Sequence, residues 1–319
     1  MKKALSYIGY TLAYGGWYIM SLLPFRVLYL LSDGLYLLVA HVVRYRHKII
    51  YKNLRESFPE KSEVEVKQLE RQFYKLFCDY LVETIKMMTM SKRQLMRHLR
   101  FTHFDKLNEV LANGQSAAIY LGHIFNWEWI TSLPYWVPDG VQCSELYHPL
   151  ENEYFDKLFK YVREKHDALC ISMKESLRYI LKYKRDNKAI VVGLISDQVP
   201  QWGSIHLWVD FLHHDTPVLT GGERIVRHTN MAVFYGDVRR VKRGYYECEM
   251  KLMTEKPKEM DENEITKVYF RMLEETIRRD PANWLWSHNR WKRTHKEFDE
   301  LFEVVNGKVM KKENLHGNA

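Results

Sequence analysis

The sequence predicts an α/β protein with a mixed, mostly parallel central sheet flanked by helices and preceded by an N-terminal membrane-associated helical region. From residue 116 onward, short segments rich in β-branched and apolar residues alternate with helix-like segments, which is typical of helices covering both faces of a sheet. The chain also begins with a long uncharged run. The strand-like segments are residues 116–121, 189–196, 232–238 and 245–252, and the helix-like ones are residues 128–135, 154–166, 174–184 and 262–279.

The uncharged run covers residues 4–25, with lysines before it and Arg26 after it. As a helix it would be roughly 33 Å long, enough to cross the apolar core of a bilayer. A second apolar stretch, residues 27–43, is interrupted by Asp33 and followed by a basic cluster. We therefore expect one N-terminal anchor, an interfacial helix after it, and a cytoplasmic body, because basic flanks stay on the cytoplasmic side. A buried pair of core helices is the alternative.

The boundaries predicted from these patterns are residues 1–47 for the anchor and interfacial helix, 48–305 for the main domain, and 306–319 for a flexible polar tail. Residues 48–90 have a helical pattern throughout, with apolar residues at three- and four-residue steps. Ser62 and Glu65 have the spacing of a capping box inside this segment.

The composition favours an acidic partner. The chain has 319 residues and a net charge of +8, which suits an anionic membrane surface, a negatively charged carrier protein or nucleic acid. Nucleic acid is the weakest of the three, because the basic residues are scattered and no zinc-finger, RNP-like or helix-turn-helix pattern occurs. The four cysteines form no CxxC pair, which indicates reduced structural thiols.

His123 and Glu128 follow a strand-like segment that ends at Gly122. Such a pair can take a proton from a hydroxyl, since the imidazole acts as the base and the carboxylate orients it. Five residues of uninterrupted helix turn by roughly 500°, so the two side chains converge only if the chain changes form between them. Asn126 is suited to be the N-cap of a helix that begins there. The spacing alone fits equally well a loop histidine and an ordinary glutamate near a helix N-terminus.

Two further segments are candidate binding sites. Asp197 and Gln198 follow a buried strand, and ligands bind beyond the carboxyl ends of such strands; alternatively, Asp197 only caps a turn. Thr220 and two glycines stand at the start of a predicted helix, whose backbone amides, with Arg224 or Arg227, can hold a phosphate. The alternative there is a helix with two solvated arginines.

The segment from Trp284 to Arg293 combines indoles with basic groups, including Trp286, His288 and Arg290. This composition suits a lipid headgroup boundary. It also suits stacked single-stranded nucleic acid, and the third alternative is indoles that pack on the core.

Several mechanisms lack their motifs. Neighbouring histidines such as those of residues 213–214 seldom bind one ion, so we expect no metal site. The chain has no GxSxG, Walker A, GxGxxG or HExxH motif, which argues against a serine hydrolase or a nucleotide-dependent enzyme.

Several blocks in a fixed order give the chain a family resemblance. It resembles the lipid A biosynthesis acyltransferases, the late lauroyl and myristoyl transferases within the wider HxxxxD/E glycerolipid acyltransferases. The blocks are Leu23-Pro24-Phe25-Arg26, Asn53-Leu54 with Phe58-Pro59-Glu60, Gly122-His123 with Glu128, Asp197-Gln198, and Trp284-Leu285-Trp286-Ser287-His288 with Arg290-Trp291-Lys292.

The resemblance implies a bacterial inner-membrane enzyme that works on the cytoplasmic side. It would move a fatty acyl group from acyl carrier protein to a hydroxyl of a lipid A precursor, with His123 as the base and Glu128 holding the imidazole. No metal or organic cofactor is implied beyond the phosphopantetheine thioester of the carrier. Asn126, Arg163 and Arg224 are the candidates for stabilising the oxyanion. The full set of expected substrate contacts is Asn126, His148, Arg163, Asp197, Gln198, Arg224, Trp286, His288 and Arg290.

Two departures from the family pattern concern the acceptor. Relatives generally carry an arginine in a Tyr-Arg-Pro-like segment where this chain has His148, and their Phe-Phe-Gly-like loop appears here as residues 211–214. A lyso-aminolipid or a lysophospholipid is therefore the alternative acceptor. The rival from another class is a membrane-tethered lipid-binding protein without catalysis.

Overall fold

The computed structural model describes residues 2–313, with side chains from residue 9 onward. The α-helices are α1 (Lys2–Leu22), α2 (Phe25–Leu37), α3 (His47–Ser57), α4 (Glu63–Met87), α5 (Lys92–His98), α6 (Asp105–Ala112), α7 (Glu153–Glu164), α8 (Ser176–Arg185), α9 (Gly221–Thr229), α10 (Glu264–Arg279) and α11 (His295–Leu301). The strands are β1 (Leu99–Thr102), β2 (Ala117–Leu121), β3 (Gln142–Tyr147), β4 (Ala168–Ser172), β5 (Ile190–Ile195), β6 (Leu207–Phe211), β7 (His214–Val218), β8 (Ala232–Lys242), β9 (Tyr245–Thr254), β10 (Phe302–Val305) and β11 (Lys308–Lys311).

A seven-stranded sheet forms the centre of the protein, with strand order β1-β9-β8-β2-β5-β3-β4. Neighbouring strands are parallel except β8 and β9, which form an antiparallel hairpin. All five residues of β2 are buried, as expected for a strand with neighbours on both sides and helices over the sheet. The predicted fold class, a mixed and mostly parallel sheet flanked by helices, is confirmed.

The predicted elements are present with shifted ends and several additions. The strand-like segments became β2, β5, β8 and β9, while β1, β3, β4, β6 and β7 were not predicted. Ser62 and Glu65 form the predicted capping box, which begins α4 after a break in the segment predicted as helical throughout. Residues Trp127–Tyr135 form a 3₁₀-helix containing Pro134 rather than an α-helix.

Part of the segment predicted as a flexible tail is ordered. Strands β10 and β11 form a hairpin that covers residues 302–311. The rest of the prediction, from residue 314 to the last residue, lies outside the described part of the chain.

The N-terminal helices pack against α4. The indole Nε1 of Trp17 donates to the backbone oxygen of Ile85 at 3.0 Å, and Lys86 Nζ donates to the backbone oxygen of Ser21 at 2.8 Å. Within the described residues, the one helix long and apolar enough to cross a membrane is Phe25–Val42, which is α2 with the π turn that follows it. The candidate anchor is thus the second helix and not residues 4–25, because glycines and tyrosines dilute the apolar character of α1.

Candidate active site

The site lies where two neighbouring parallel strands end. In the register of β2 and β5, Leu121 is paired with Ile195. His123 and Asp197 each follow two residues later, so the same offset brings them to the same point beyond the sheet. This is the edge at which α/β proteins bind ligands.

Asp197 holds His123 through both carboxylate oxygens. Nδ1 of His123 lies 2.6 Å from Oδ1 of Asp197, and the backbone N–H of His123 donates to Oδ2 at 2.8 Å. The indole N–H of Trp284 donates to the same Oδ2 at 2.7 Å. A carboxylate on Nδ1 keeps the proton on that nitrogen, so Nε2 carries the free lone pair. Nε2 lies 3.2 Å from Nε2 of Gln198, an arrangement in which the amide donates to the ring.

The carboxyl group of Asp197 is ionised in this environment. Only 2% of its side chain is exposed, and burial alone would raise its pKa. The electrostatic interaction with His123 and the hydrogen bonds from His123 and Trp284 outweigh burial and lower the pKa to about 2. A fixed negative charge therefore stands behind the imidazole at any physiological pH.

Glu128 occupies the predicted position but has a different partner. Asn126 caps the 3₁₀-helix by accepting the N–H of Glu128 at 3.1 Å, as predicted. The Glu128 carboxylate accepts two hydrogen bonds from Arg163, at 2.8 Å from Nε and 2.7 Å from Nη2. The expectation that Glu128 holds the imidazole is therefore corrected, since Asp197 makes that contact.

Glu128 nonetheless belongs to the same electrostatic cluster. Burial alone would raise the pKa of its carboxyl group. The nearby Arg163 and, to a smaller extent, His123 lower the pKa by more than burial raises it, so the net pKa is below its ordinary value. Arg163 also lies 3.4 Å from Glu145, which is half-buried. The guanidinium is thus held between two carboxylates beside the histidine.

A cavity of about 290 Å³ opens at His123. Three of the other predicted contacts, His148, Arg163 and Gln198, lie in its wall with Glu128. Sequence reasoning missed further wall residues, among them Tyr80, Tyr147, Asp156, Phe159 and Lys160.

A second, apolar cavity of about 470 Å³ lies beside the first. Tyr80 and Phe159 line both cavities, so these two side chains form the wall between them. Its other walls come from α1, α2 and α4. A cavity with charged and polar side chains in its wall therefore adjoins a volume suited to a hydrocarbon chain.

A comparison with protein families accounts for this arrangement. The family model described as bacterial lipid A biosynthesis acyltransferase matches residues 1–293. The chain belongs to this family. It is therefore an acyltransferase, as the resemblance of its sequence blocks predicted. No curated protein matches the chain in a sequence comparison.

The tryptophan-rich segment of this acyltransferase packs inside the protein. Trp286 and Arg290 are fully buried, and Trp286 Nε1 donates to the backbone oxygen of Pro281. His288 Nε2 accepts the backbone N–H of Val199 at 3.2 Å. The expectation that Trp286, His288 and Arg290 contact substrate at a headgroup boundary is corrected: their side chains are used in packing and in holding the loop after β5.

Two of the expected oxyanion donors are also placed elsewhere. Asn126 is fully buried, and its amide donates to Glu83 at 3.1 Å. Arg224 is exposed on α9 and does not line the cavity at His123. Among the described residues, no group of three or more metal-binding side chains was found.

Proposed function

We propose that this acyltransferase moves a fatty acyl group from acyl carrier protein to a hydroxyl of a lipid A precursor. Membership of the family supports the reaction class. The observation that carries the mechanism is the His123–Asp197 pair, whose imidazole lines a cavity and meets the Gln198 amide at Nε2.

In the proposed reaction His123 acts as the general base. Nε2 takes the proton of the acceptor hydroxyl while its oxygen attacks the carbonyl carbon of the thioester. The C–S bond of the resulting tetrahedral intermediate then breaks, and the leaving thiolate takes the proton back from the imidazolium. Asp197 stabilises the imidazolium between these two transfers, because its charge is fixed against Nδ1. No covalent acyl-enzyme is required.

The negative oxygen of the intermediate needs a donor, and one such hydrogen bond is typically worth about 3 kcal/mol. Gln198 is our candidate, because its amide approaches the reacting nitrogen from the cavity wall. Arg163 is the remaining candidate from the sequence. Its bonds to Glu128 use Nε and Nη2, and its charge lies in the same wall.

The two cavities suit the two ends of the substrates. The apolar cavity matches a fatty acyl chain, and the cavity at His123 offers polar and charged groups to a headgroup. The net charge of +8 favours an acidic donor protein such as acyl carrier protein. The phosphopantetheine of that carrier would supply the thioester. These features are consistent with work at the cytoplasmic face of a bacterial inner membrane.

A related acceptor is the alternative. His148 lines the cavity at the position where the family pattern has arginine. An imidazole lacks the fork of donors with which a guanidinium binds phosphate. The weaker phosphate contact favours a lyso-aminolipid, which carries no phosphate. A lysophospholipid, which keeps one, is the other alternative acceptor, with unchanged chemistry at His123.

Mass spectrometry of lipid A and total lipids tests the proposal. A strain lacking the gene is complemented with wild type or with His123→Ala. We expect lipid A to lose one acyl group in the mutant strain and to regain it only with wild type. Unchanged lipid A together with an accumulating lyso-lipid would select the alternative acceptor. Full complementation by His123→Ala would contradict the mechanism.

A further inference from the structure

The helix formed by residues 25–42 has an apolar face that points away from the protein. Leu30 is 71% exposed and Val42 is 73% exposed. The exposed apolar residues recur at three- and four-residue spacings and therefore form one stripe, which we call the outer stripe. It consists of Val27, Leu30, Leu31, Leu37, Leu38 and Val42.

The opposite face of the same helix is attached to the catalytic domain by polar groups. Ser32 Oγ donates to Asp79 of α4 at 2.7 Å, and Asp33 lies 2.7 Å from Arg243 in the turn between β8 and β9. Arg243 also contacts Asp79 at 2.6 Å. The helix is thus fixed along its side to the body of the protein.

These contacts conflict with a crossing orientation. The helix is about 27 Å long, and Asp33 lies at its middle. If the helix crossed a bilayer, Asp33, Arg243 and Asp79 would lie near the midplane, where charged groups are strongly disfavoured. The strands β8 and β9 would also be drawn into the hydrocarbon, and β8 ends in Lys242, next to Arg243.

Helix α1, like the helix of residues 25–42, has an exposed apolar face and an opposite face that is bonded to the body of the protein. Leu12, Ile19 and Leu22 are exposed, while Trp17 and Ser21 on the other side bond to α4. The apolar cavity lies between α1 and α2 and reaches the outer stripe at Leu31.

Exposed cations lie at both ends of the helix. Arg26 stands at its start and Arg44 just beyond its end, where each can meet a lipid phosphate. A bilayer leaflet with anionic headgroups therefore complements this surface in both polarity and charge.

We infer that α1 and α2 lie flat on one leaflet of an anionic bilayer and do not cross it. The outer stripe enters the boundary between headgroups and acyl chains, and the apolar cavity opens to that leaflet at Leu31. This arrangement replaces the crossing anchor expected from the sequence. It holds whatever reaction occurs at His123, so it can fail or succeed independently of the proposed function.

Thiol labelling in a bacterial host tests the topology. Lys3→Cys reports the start of α1, and Lys296→Cys, on exposed α11, reports the catalytic domain. The four native cysteines are buried, which keeps background labelling low. With a membrane-impermeant maleimide we expect both variants to behave alike in spheroplasts and both to react after detergent. Labelling of only one of the two in intact spheroplasts would place them on opposite sides and overturn the inference.

Depth measurements on the purified full-length chain give an independent test. A fluorophore on Leu30→Cys or Val42→Cys is quenched by lipids brominated at defined depths in phosphatidylglycerol-containing vesicles. A flat helix places both labels at a similar shallow depth. A crossing helix centred on the bilayer places residue 30 about 5 Å and residue 42 about 13 Å from the midplane, because each residue advances 1.5 Å. Residue 30 would then lie about 8 Å deeper than residue 42. Val64→Cys, exposed on α4, is the control expected to remain unquenched. Absence of quenching at both outer positions, or the 8 Å difference, would contradict the inference.

Discussion

At the scale of single residues, the proposed proton transfer depends on how completely Asp197 is held. Oδ1 faces the imidazole, and Oδ2 accepts two N–H groups, one from the backbone of His123 and one from Trp284. A carboxylate bonded on both oxygens cannot rotate away when the imidazole becomes charged. It therefore provides both the orientation of the ring and the charge that stabilises the imidazolium.

Asp197→Asn should lower kcat by about 10² to 10⁴-fold, because an amide cannot supply this charge and can donate to Nδ1, forcing the proton onto Nε2. Steady-state assays with purified enzyme measure the loss. Asp215→Asn is the matched control, since Asp215 forms a similar pair with His295, at 2.7 Å, on the exposed surface. Equal activities of the two variants would contradict the role assigned to Asp197.

A second prediction at this scale concerns Glu83 and the pH dependence of stability. It is fully buried on α4 and accepts hydrogen bonds from Asn126 and Tyr246. Burial, and then the nearby Asp79, raise its pKa to about 7, although these hydrogen bonds oppose the shift. Between its ordinary pKa of 4.5 and about 7 the folded protein binds more protons than the unfolded chain. Stability should therefore fall as pH rises through this window and level off above it.

Glu83→Gln removes the titration, so this part of the pH dependence should disappear. The difference amounts to a few kcal/mol, since each pKa unit corresponds to 1.36 kcal/mol. Thermal unfolding of both proteins from pH 4.5 to 8 measures it. An exposed residue of the same helix, Glu63, provides the control as Glu63→Gln. Parallel stability curves for wild type and Glu83→Gln would show that Glu83 does not titrate in this range.

The sequence singled out His123, which the structure places in the wall of a cavity, but it assigned this histidine a different carboxylate. Glu128 was chosen because local spacing can be read from the chain. Asp197 was placed correctly at the end of its strand, but its contact with His123 depends on β5 lying next to β2, and β3 and β4 intervene in the sequence. Strand order is a property of the whole sheet, so a local pattern does not reveal it.

At the scale of elements, the segment from residue 284 to 293 holds the loop after β5 in place by hydrogen bonds. Trp284 bonds to Asp197, His288 accepts the N–H of Val199, and Arg293 donates to the backbone oxygen of Pro200 at 2.6 Å. These contacts, at residues 197, 199 and 200 of the loop, fix the position of Asp197 relative to the sheet.

Trp284→Phe should lower kcat roughly tenfold, because it removes one hydrogen bond to an ionised carboxylate, worth about 1.5–3 kcal/mol, while retaining an aromatic ring. Trp286→Phe is the matched control. It also removes an indole N–H from a buried ring in the same segment, but that group bonds to Pro281. Both variants should lose thermal stability, and only Trp284→Phe should lose turnover. A similar kcat for the two would mean that the indole N–H does not affect Asp197.

Whether a strand could be predicted from the sequence depended on how apolar its residues are. Strand β2 consists of buried residues whose apolar pattern is local, and it was predicted. Strand β3 was missed because it contains Ser144 and Glu145. Glu145 is accommodated inside the protein by the Cys170 thiol and by Arg163, both contributed by other parts of the chain. Its partial burial therefore depends on tertiary partners that no window of the sequence contains.

At the scale of the whole molecule, charge and cavities indicate how two substrates of opposite character reach one site. The apolar cavity adjoins α1 and α2, which present apolar faces outward, whereas the net charge of the chain is +8. In the membrane orientation inferred above, a lipid acceptor would approach from the side of α1 and α2. An acidic donor, such as the carrier protein proposed above, would be attracted through the solution by the net positive charge.

The donor proposed here implies a specific dependence on salt. If acyl carrier protein is the donor, kcat/KM for the carrier should fall roughly tenfold between 0.05 M and 0.5 M NaCl, because long-range attraction is screened beyond about 10 Å at 0.1 M ionic strength. The same acyl group on pantetheine, which is uncharged, should show little salt dependence with the same acceptor. The comparison uses one enzyme preparation, one acceptor and two donors.

The comparison separates the donor from the chemistry. An equal salt response for both donors would assign the effect to the acceptor or to membrane binding and would argue against an acidic carrier protein, while leaving catalysis by His123 intact. A steep response for the carrier alone, with kcat unchanged at saturation, would show that charge governs the encounter and not the chemical step. Because long-range attraction acts before the thioester enters the cavity, Asp197→Asn should retain the same relative salt dependence at its lower rate.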